Sequence, residues 1–187
     1  MIIPPRKPIQ NQTDELINYG QTVNQQTDEI LLPQKKPIPV KKPLKNWRDS
    51  KIIQAIISEN PIIGRIINKE SRGKPNAENP HTGARGLMQI MKDTAEGEPG
   101  FNVDWNLDYD ELFDPELNVQ FGTDYYLGLK KYYGNDKEAL IAYNWGHGNY
   151  QSFKKLGYWI DKSDKSKIKH TTLPEETQDY IKEILEE

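Results

Sequence analysis

The sequence predicts a mostly α-helical domain preceded by a non-globular arm, and three observations carry that prediction. Apolar residues recur three and four apart in successive stretches: Ile52, Ile53, Ile56 and Ile57; Ile62, Ile63, Ile66 and Ile67; Leu117, Phe121, Tyr125 and Leu129. That is the period of an amphipathic helix. No stretch reads as a central strand. Finally, Pro4, Pro5, Pro8, Pro33, Pro37, Pro39 and Pro43 fall within residues 1–47, where they break any long helix and favour extended or polyproline conformations.

Between the Pro-rich ends of the arm lies a short repeat. Gln12-Thr13-Asp14-Glu15-Leu16 returns as Gln26-Thr27-Asp28-Glu29-Ile30. One weak helix would align the two copies, although Gly20 and the polar run Asn24-Gln25-Gln26 oppose it. Two readings stay open for residues 1–47: a flexible linker, or an anchoring peptide that orders only against a partner. Residues 48–187 form the expected folded domain, which begins near Trp47.

Asp49 and Ser50 are candidate N-caps for the first helix, which Asn60-Pro61 breaks. The next helix ends near Glu70. A loop with Gly73, Pro75, Pro80 and Gly83 follows, then an expected helix over Gly86 to Glu96 with Leu87, Ile90 and Met91 inward. Residues 97–113 read as irregular. Asp114-Pro115 opens a helix by the preference for proline at the first helical position, and Gly134 closes it. Lys137 to Trp145 reads as a helix closed by Gly146-His147-Gly148. Residues 149–160 are aromatic and ambiguous, Asp161 to His170 reads as a charged surface loop, and Pro174 to Glu187 reads as the last helix.

Composition narrows the class. The 187 residues suffice for one domain plus a tail, and apolar content of 35% with 13 prolines and 13 glycines implies that part of the chain stays unpacked. The net charge of −3 is uneven: the arm holds seven Lys/Arg against four Asp/Glu, which leaves −6 for the domain. That balance speaks against a nucleic-acid surface on the folded part. With no cysteine, disulfide and thiolate chemistry are excluded. Neither a phosphate loop nor a cofactor fingerprint is present, so no cofactor is expected. His81, His147 and His170 are too scattered for a metal site and read as solvated loop residues.

Glu70 is the first candidate catalytic group. A carboxylate at the end of a mostly buried helix is opposed both by the helix dipole and by desolvation, which raises its pKa and suits it to general acid work. Taken alone, a glutamate near a helix end is more often simply solvated. The wider pattern decides the matter. Glu70-Ser71-Arg72-Gly73, then Gly83-Ala84-Arg85-Gly86-Leu87-Met88-Gln89-Ile90-Met91, then Ala142-Tyr143-Asn144-Trp145-Gly146, and last Leu173-Pro174-Glu175-Glu176-Thr177-Gln178-Asp179-Tyr180-Ile181 resemble, in this order, the lytic transglycosylase family with the soluble-transglycosylase catalytic domain. Each motif is weak alone; the ordered set is specific.

The resemblance implies a lysozyme-like fold of the goose-type lysozyme and lytic transglycosylase kind, with a small β-hairpin in some members. It implies a peptidoglycan lytic transglycosylase that cleaves the β-1,4 bond between N-acetylmuramic acid and N-acetylglucosamine and leaves 1,6-anhydromuramic ends. By motif, Glu70 is the single acid and then base. Ser71 either hydrogen-bonds that carboxylate or caps the local turn. Gln89 matches a substrate-contacting glutamine, and Met88 lines the cleft or packs in the core. Gly83 and Gly86 permit the turn and the close approach of sugar to backbone. Tyr143 orients the acid or the acetamido group, Asn144 secures the following loop, and Tyr180 faces the cleft. Trp145 stands where the family most often has a small residue, and either stacks on a sugar or fills the core. Lys92 stands where proline often follows. No second acid can be chosen: Glu78 and Asp93 are near in the chain and read as solvated.

The expected partner is the peptidoglycan glycan strand. The sequence shows no signal peptide, lipidation cysteine or membrane-spanning segment, so another route to the wall is expected. The expectation is a bacteriophage enzyme carried in the virion, attached through residues 1–46 to repeated virion, tail or portal subunits, and acting in the host periplasm and cell wall during entry. The alternatives are a free endolysin held in the host cytoplasm until lysis, a secretion or conjugation enzyme, a hydrolytic muramidase, and a non-catalytic wall-binding or structural protein.

Overall fold

A computed structural model describes residues 46–97, 107–161, 163 and 167–186; the repeat and prolines of the arm lie outside the described residues. All of the described residues fall in one unit, Lys42–Glu187. The order is a 3-10 turn at Trp47–Asp49, α1 (Lys51–Glu59), α2 (Pro61–Ser71), α3 (Lys92–Ala95), a 3-10 turn at Tyr109–Phe113, α4 (Pro115–Tyr133), α5 (Asp136–Trp145), α6 (His147–Leu156), the strands β1 (Trp159–Ile160) and β2 (Lys169–His170), and α7 (Glu175–Leu185).

The helix boundaries follow local chemistry. Ser50 caps α1 by accepting from Ile53 N, and its own hydroxyl donates to the buried Glu116 at 2.6 Å. One side chain thus ties the start of α1 to the start of α4. Asn60 alone separates α1 from α2, because the residue before Pro61 is driven out of helical conformation. Asp114 caps α4 by accepting from Glu116 N and Leu117 N, Pro115 takes the first helical position, and Gly134 at φ 84° ends the helix.

Apolar faces then assemble the core. Ile53, Ile63 and Ile66 are fully buried, as are Leu129 and Leu140, each contributing about 1.5–3 kcal/mol relative to exposure. α5 packs against α4, α6 and α7, while α1 packs against α2 and α4, and α2 against α7. The α2–α7 contact matters most for function, since it joins the end of α2 to the last helix of the chain. Trp47, assigned to the arm by its position, is in the core: it is 8% exposed and its indole N–H donates to Gly73 O at 2.8 Å.

Three expectations are corrected. Gly86 to Glu96 is not one helix: residues 86–90 form a turn closed by a bridge between Arg85 and Ile90, and only Lys92–Ala95 is helical. Gly146-His147-Gly148 does not merely close α5, because α6 starts at His147 and absorbs much of the ambiguous aromatic stretch. His147 is no solvated loop residue either; it is buried, with Nδ1 2.9 Å from the Tyr133 hydroxyl. His81 is exposed as expected. His170 pairs with Trp159 in the hairpin and stacks on its ring at 4.6 Å.

Candidate active site

Glu70 lies one residue before the end of α2, whose Ile63, Ile66 and Ile67 turn inward and carry the carboxylate toward the protein rather than the solvent. Arg72 ends the helix in left-handed conformation, φ 54°. Ser71 is buried: its Oγ donates to Ile67 O and accepts from Gly73 N. Of its two expected roles it therefore takes the second, capping the turn behind the acid, and it does not contact the cleft.

The acid is met from α7. Tyr180, buried, donates its hydroxyl to Glu70 Oε1 at 2.7 Å. Burial pushes the Glu70 carboxyl up to about 7; the Tyr180 hydrogen bond pulls it down, the Glu176 carboxylate raises it and Lys69 lowers it. The neutral acid thus survives to near-neutral pH because desolvation outweighs the bond that favours the anion. The same enclosure, with the Glu70 charge beside them, holds the Tyr143 and Tyr180 phenols well above their ordinary value. Both stay protonated donors. Tyr143 does not bond the acid; its hydroxyl donates to Met88 O at 2.9 Å, and its ring packs against Tyr125 at 5.5 Å.

The loop opposite is built for one side chain. Arg85 and Ile90 exchange two backbone hydrogen bonds of 2.9 Å, and the Arg85 guanidinium lies over the Tyr109 ring while bonding Glu78 and Asp110. Buried Asn118 on α4 completes the frame, donating to Arg85 O and Leu112 O and accepting from Met88 N. Inside this frame Gln89 sits at φ 49°, an uncommon conformation for a residue other than glycine. Its Nε2 donates to Ala77 O and Gly86 O. With both amide protons directed at backbone carbonyls, the group has its oxygen left to offer a ligand.

These elements enclose a cleft of about 550 Å³ that brings together Glu70, Gln89, Tyr143, Asn144, Trp145 and Tyr180. Two expected site residues are elsewhere. Met88 is fully buried and packs on Gly122 of α4, so the core reading of that residue is correct and its side chain cannot touch substrate. Ser71 supports from behind, as described. The close approach at Gly86 is also internal: a Cβ there would lie 2.2 Å from Asn118 Nδ2 and 2.4 Å from Leu112 O. It makes room for the frame, not for sugar.

Other cleft residues escaped sequence reasoning. Met91, 43% exposed, presents the apolar surface expected of Met88; a helical reading of the segment turned it inward. Glu176 lines the cleft and acts on the Glu70 charge; Asp93, exposed as expected, lies at the cleft as well, whereas Glu78, also exposed, is held outside by Arg85. Asn149, not Asn144, secures the α5–α6 junction by donating to Trp145 O at 2.8 Å. Trp145 lines the cleft and packs edge-on against Phe153 and Trp159, so its ring is held by core aromatics at the cleft wall. Among the described residues no cluster of His, Asp or Glu could hold a metal.

The profile of the transglycosylase SLT domain matches residues 51–166. The soluble lytic murein transglycosylase of Escherichia coli (strain K12) is 32% identical over 122 residues, 64% of this chain, and that of Salmonella typhimurium is likewise 32% identical over 122 residues. The chain spans 18% of the length of these curated relatives. Among solved structures, the 70 kDa soluble lytic transglycosylase of Escherichia coli matches with a TM-score of 0.54 at 26% identity, over 71% of this chain and 22% of that one. The complex of the 70-kDa soluble lytic transglycosylase with bulgecin A matches with a TM-score of 0.55 at 28% identity, over 72% and 22%. The fold is therefore the lysozyme-like one, mostly helical.

Proposed function

The chain belongs to the transglycosylase SLT domain family, and on that premise we propose that it is a peptidoglycan lytic transglycosylase cutting the β-1,4 bond between N-acetylmuramic acid and N-acetylglucosamine. The observation that carries this reading is Glu70: one enclosed carboxyl, raised to about 7 and oriented by Tyr180. Neutral Glu70 gives its proton to the glycosidic oxygen as the C1–O bond breaks, and the substrate's acetamido oxygen captures the electron-poor C1. The carboxylate then takes the proton of the C6 hydroxyl as that oxygen attacks C1 and the bond from C1 to the acetamido oxygen breaks, restoring the acetamide, closing the 1,6-anhydro ring and returning Glu70 to its starting form. Gln89 Oε1 accepts from a sugar hydroxyl or acetamido N–H, and Met91 and Trp145 give apolar faces to the ring.

Digestion of purified sacculi with the full chain, followed by product mass analysis, tests the reading. The expected fragments are one water lighter than hydrolytic ones, and reducing ends would overturn it. Hydrolysis is the second reading, favoured by the presence of Asp93 and Glu176 in the cleft, since a second carboxylate is what a hydrolase uses to activate water.

For its place of work, the reading put forward is a virion-borne enzyme attached through residues 1–46. Its support is the duplicated Gln-Thr-Asp-Glu segment among prolines, a composition suited to ordering against repeated subunits. Washed particles should then contain the protein in fixed stoichiometry, and deletion of residues 1–45 should remove it from them. Presence in soluble lysate alone favours the free-lysin alternative.

A further inference from the structure

The last turn of α4 and one side of α6 enclose a second depression, of about 650 Å³, lined by Tyr132, Tyr133, Gln151, Ser152, Lys154 and Lys155. None of these residues lines the Glu70 cleft. Tyr132 is 56% exposed, yet its ring is held in place. Gln151 Nε2 donates to its hydroxyl at 2.7 Å, and the ring meets Tyr133 and His147 edge-on at 4.8 and 5.2 Å. An exposed aromatic braced in this way loses little freedom when something settles on it. Lys154 is already paired with Glu138. Lys155 is exposed and has no ion pair among the described residues. Ser152 directs its hydroxyl proton to Gly148 O, which leaves the oxygen as an acceptor.

The depression adjoins the cleft through the backbone. Gly146 lines the cleft, and His147, the next residue, lies against Tyr132. On α4, Tyr125 of the cleft wall and Tyr132 are seven residues apart, about two turns, and so share a helix face. A braced ring, polar acceptors and one uncommitted ammonium suit a pyranose that carries a carboxylate nearby. A phosphate-rich polymer would instead call for several uncommitted cations and no stacking platform.

We infer that this depression is a second peptidoglycan-binding site, holding a glycan strand away from the point of cleavage; the inference rests on the substrate class assigned above. Tyr132 stacks on a sugar face, Ser152 accepts from a hydroxyl or amide, and Lys155 pairs with a stem-peptide carboxylate. The site anchors long strands and does not touch a substrate short enough to fill only the cleft.

The test uses the full chain with Tyr132→Ala and, separately, Lys155→Gln, the second being an exposed change that leaves packing intact. Binding is read by co-sedimentation with sacculi stripped of secondary polymers, and catalysis by turnover of a soluble tetrasaccharide. Each variant should weaken sedimentation by about tenfold while tetrasaccharide turnover stays within about twofold of wild type. Removing the stem peptides from the sacculi should abolish the difference between wild type and Lys155→Gln. Unchanged sedimentation, or an equal loss on both substrates, overturns the site. If the wild type cleaves nothing but both variants still sediment less than it does, the activity assignment fails while the binding site stands.

Discussion

At the scale of single residues, the chemistry turns on which form of Glu70 is present. Because burial raises its carboxyl to about 7, the acid needed for the first step is lost as pH rises through that value, and kcat/KM on soluble glycan should fall with it. The neighbours move that limb in opposite directions. Tyr180→Phe removes a hydrogen bond that favours the anion, so the limb should shift to higher pH; Glu176→Gln removes a repelling charge, so it should shift lower. Parallel shifts in one direction would show that the two residues do not act on Glu70 as described. Glu70→Gln should keep the fold and lose roughly 10²–10⁴-fold or more in turnover, and retention of more than about a tenth of wild-type activity on sacculi would rule out this acid. The raised value also has a stability consequence. The folded state holds the proton more tightly than the unfolded chain, so stability falls as pH rises from about 4.5 to 7, by about 3 kcal/mol in all. Glu70→Gln lacks this dependence, and should melt higher than wild type at pH 8 and nearly level with it near pH 4.

At the scale of elements, the frame of the Gln89 turn is the most exacting part of the fold. Gly86 combines φ 79° with a Cβ position occupied by Asn118 and the Leu112 carbonyl, so Gly86→Ala should cost roughly 2–4 kcal/mol, read by denaturant melting. Gly148 in α6 is the contrast: no atom lies within 4 Å of its would-be Cβ and its φ is not positive. Gly148→Ala should stabilise by about 0.5–1 kcal/mol. The same frame marks where the sequence could be read and where it could not. The ends of α1, α2 and α4 were legible because their signals are local: Ser50, Asn60-Pro61, Asp114-Pro115 and Gly134 each act within one turn. Glu70, Tyr143 and Tyr180 were legible as motif positions. The 86–91 segment was misread because Leu87, Ile90 and Met91 have helical spacing, while the force that overrides it comes from Asn118, some thirty residues away. That single inversion exchanged the roles of Met88 and Met91. Glu176 and Asn149 carry no local signal at all; only the docking of α7 on α2, and the abutment of α5 and α6, gives them their work.

At the scale of the whole molecule, Trp47 stands at the junction of arm and domain and packs in the core. Its composition-rich neighbours place it with the prolines, but its ring is in the core and its indole N–H holds Gly73, just past the end of the helix that carries Glu70. Arg48 lies over the same ring at 4.4 Å and sits beside Gly73. The residue therefore buttresses the helix that carries Glu70 from outside the cleft. A chain beginning at Asn46 should melt cooperatively and cleave isolated peptidoglycan, because every cleft residue and the Trp47 contact are retained. A chain beginning at Arg48 loses the indole and should pay about 3–5 kcal/mol, the range for removing a buried aromatic. For a domain of this size that is a fall of roughly 10 °C in Tm. Circular dichroism melts of the two chains beside the full-length protein, with a turbidity assay on peptidoglycan, separate the outcomes. Equal melting of the two shortened chains would show that Trp47 does not support the domain. A loss of cooperative melting already at Asn46 would show that residues before it are part of the fold.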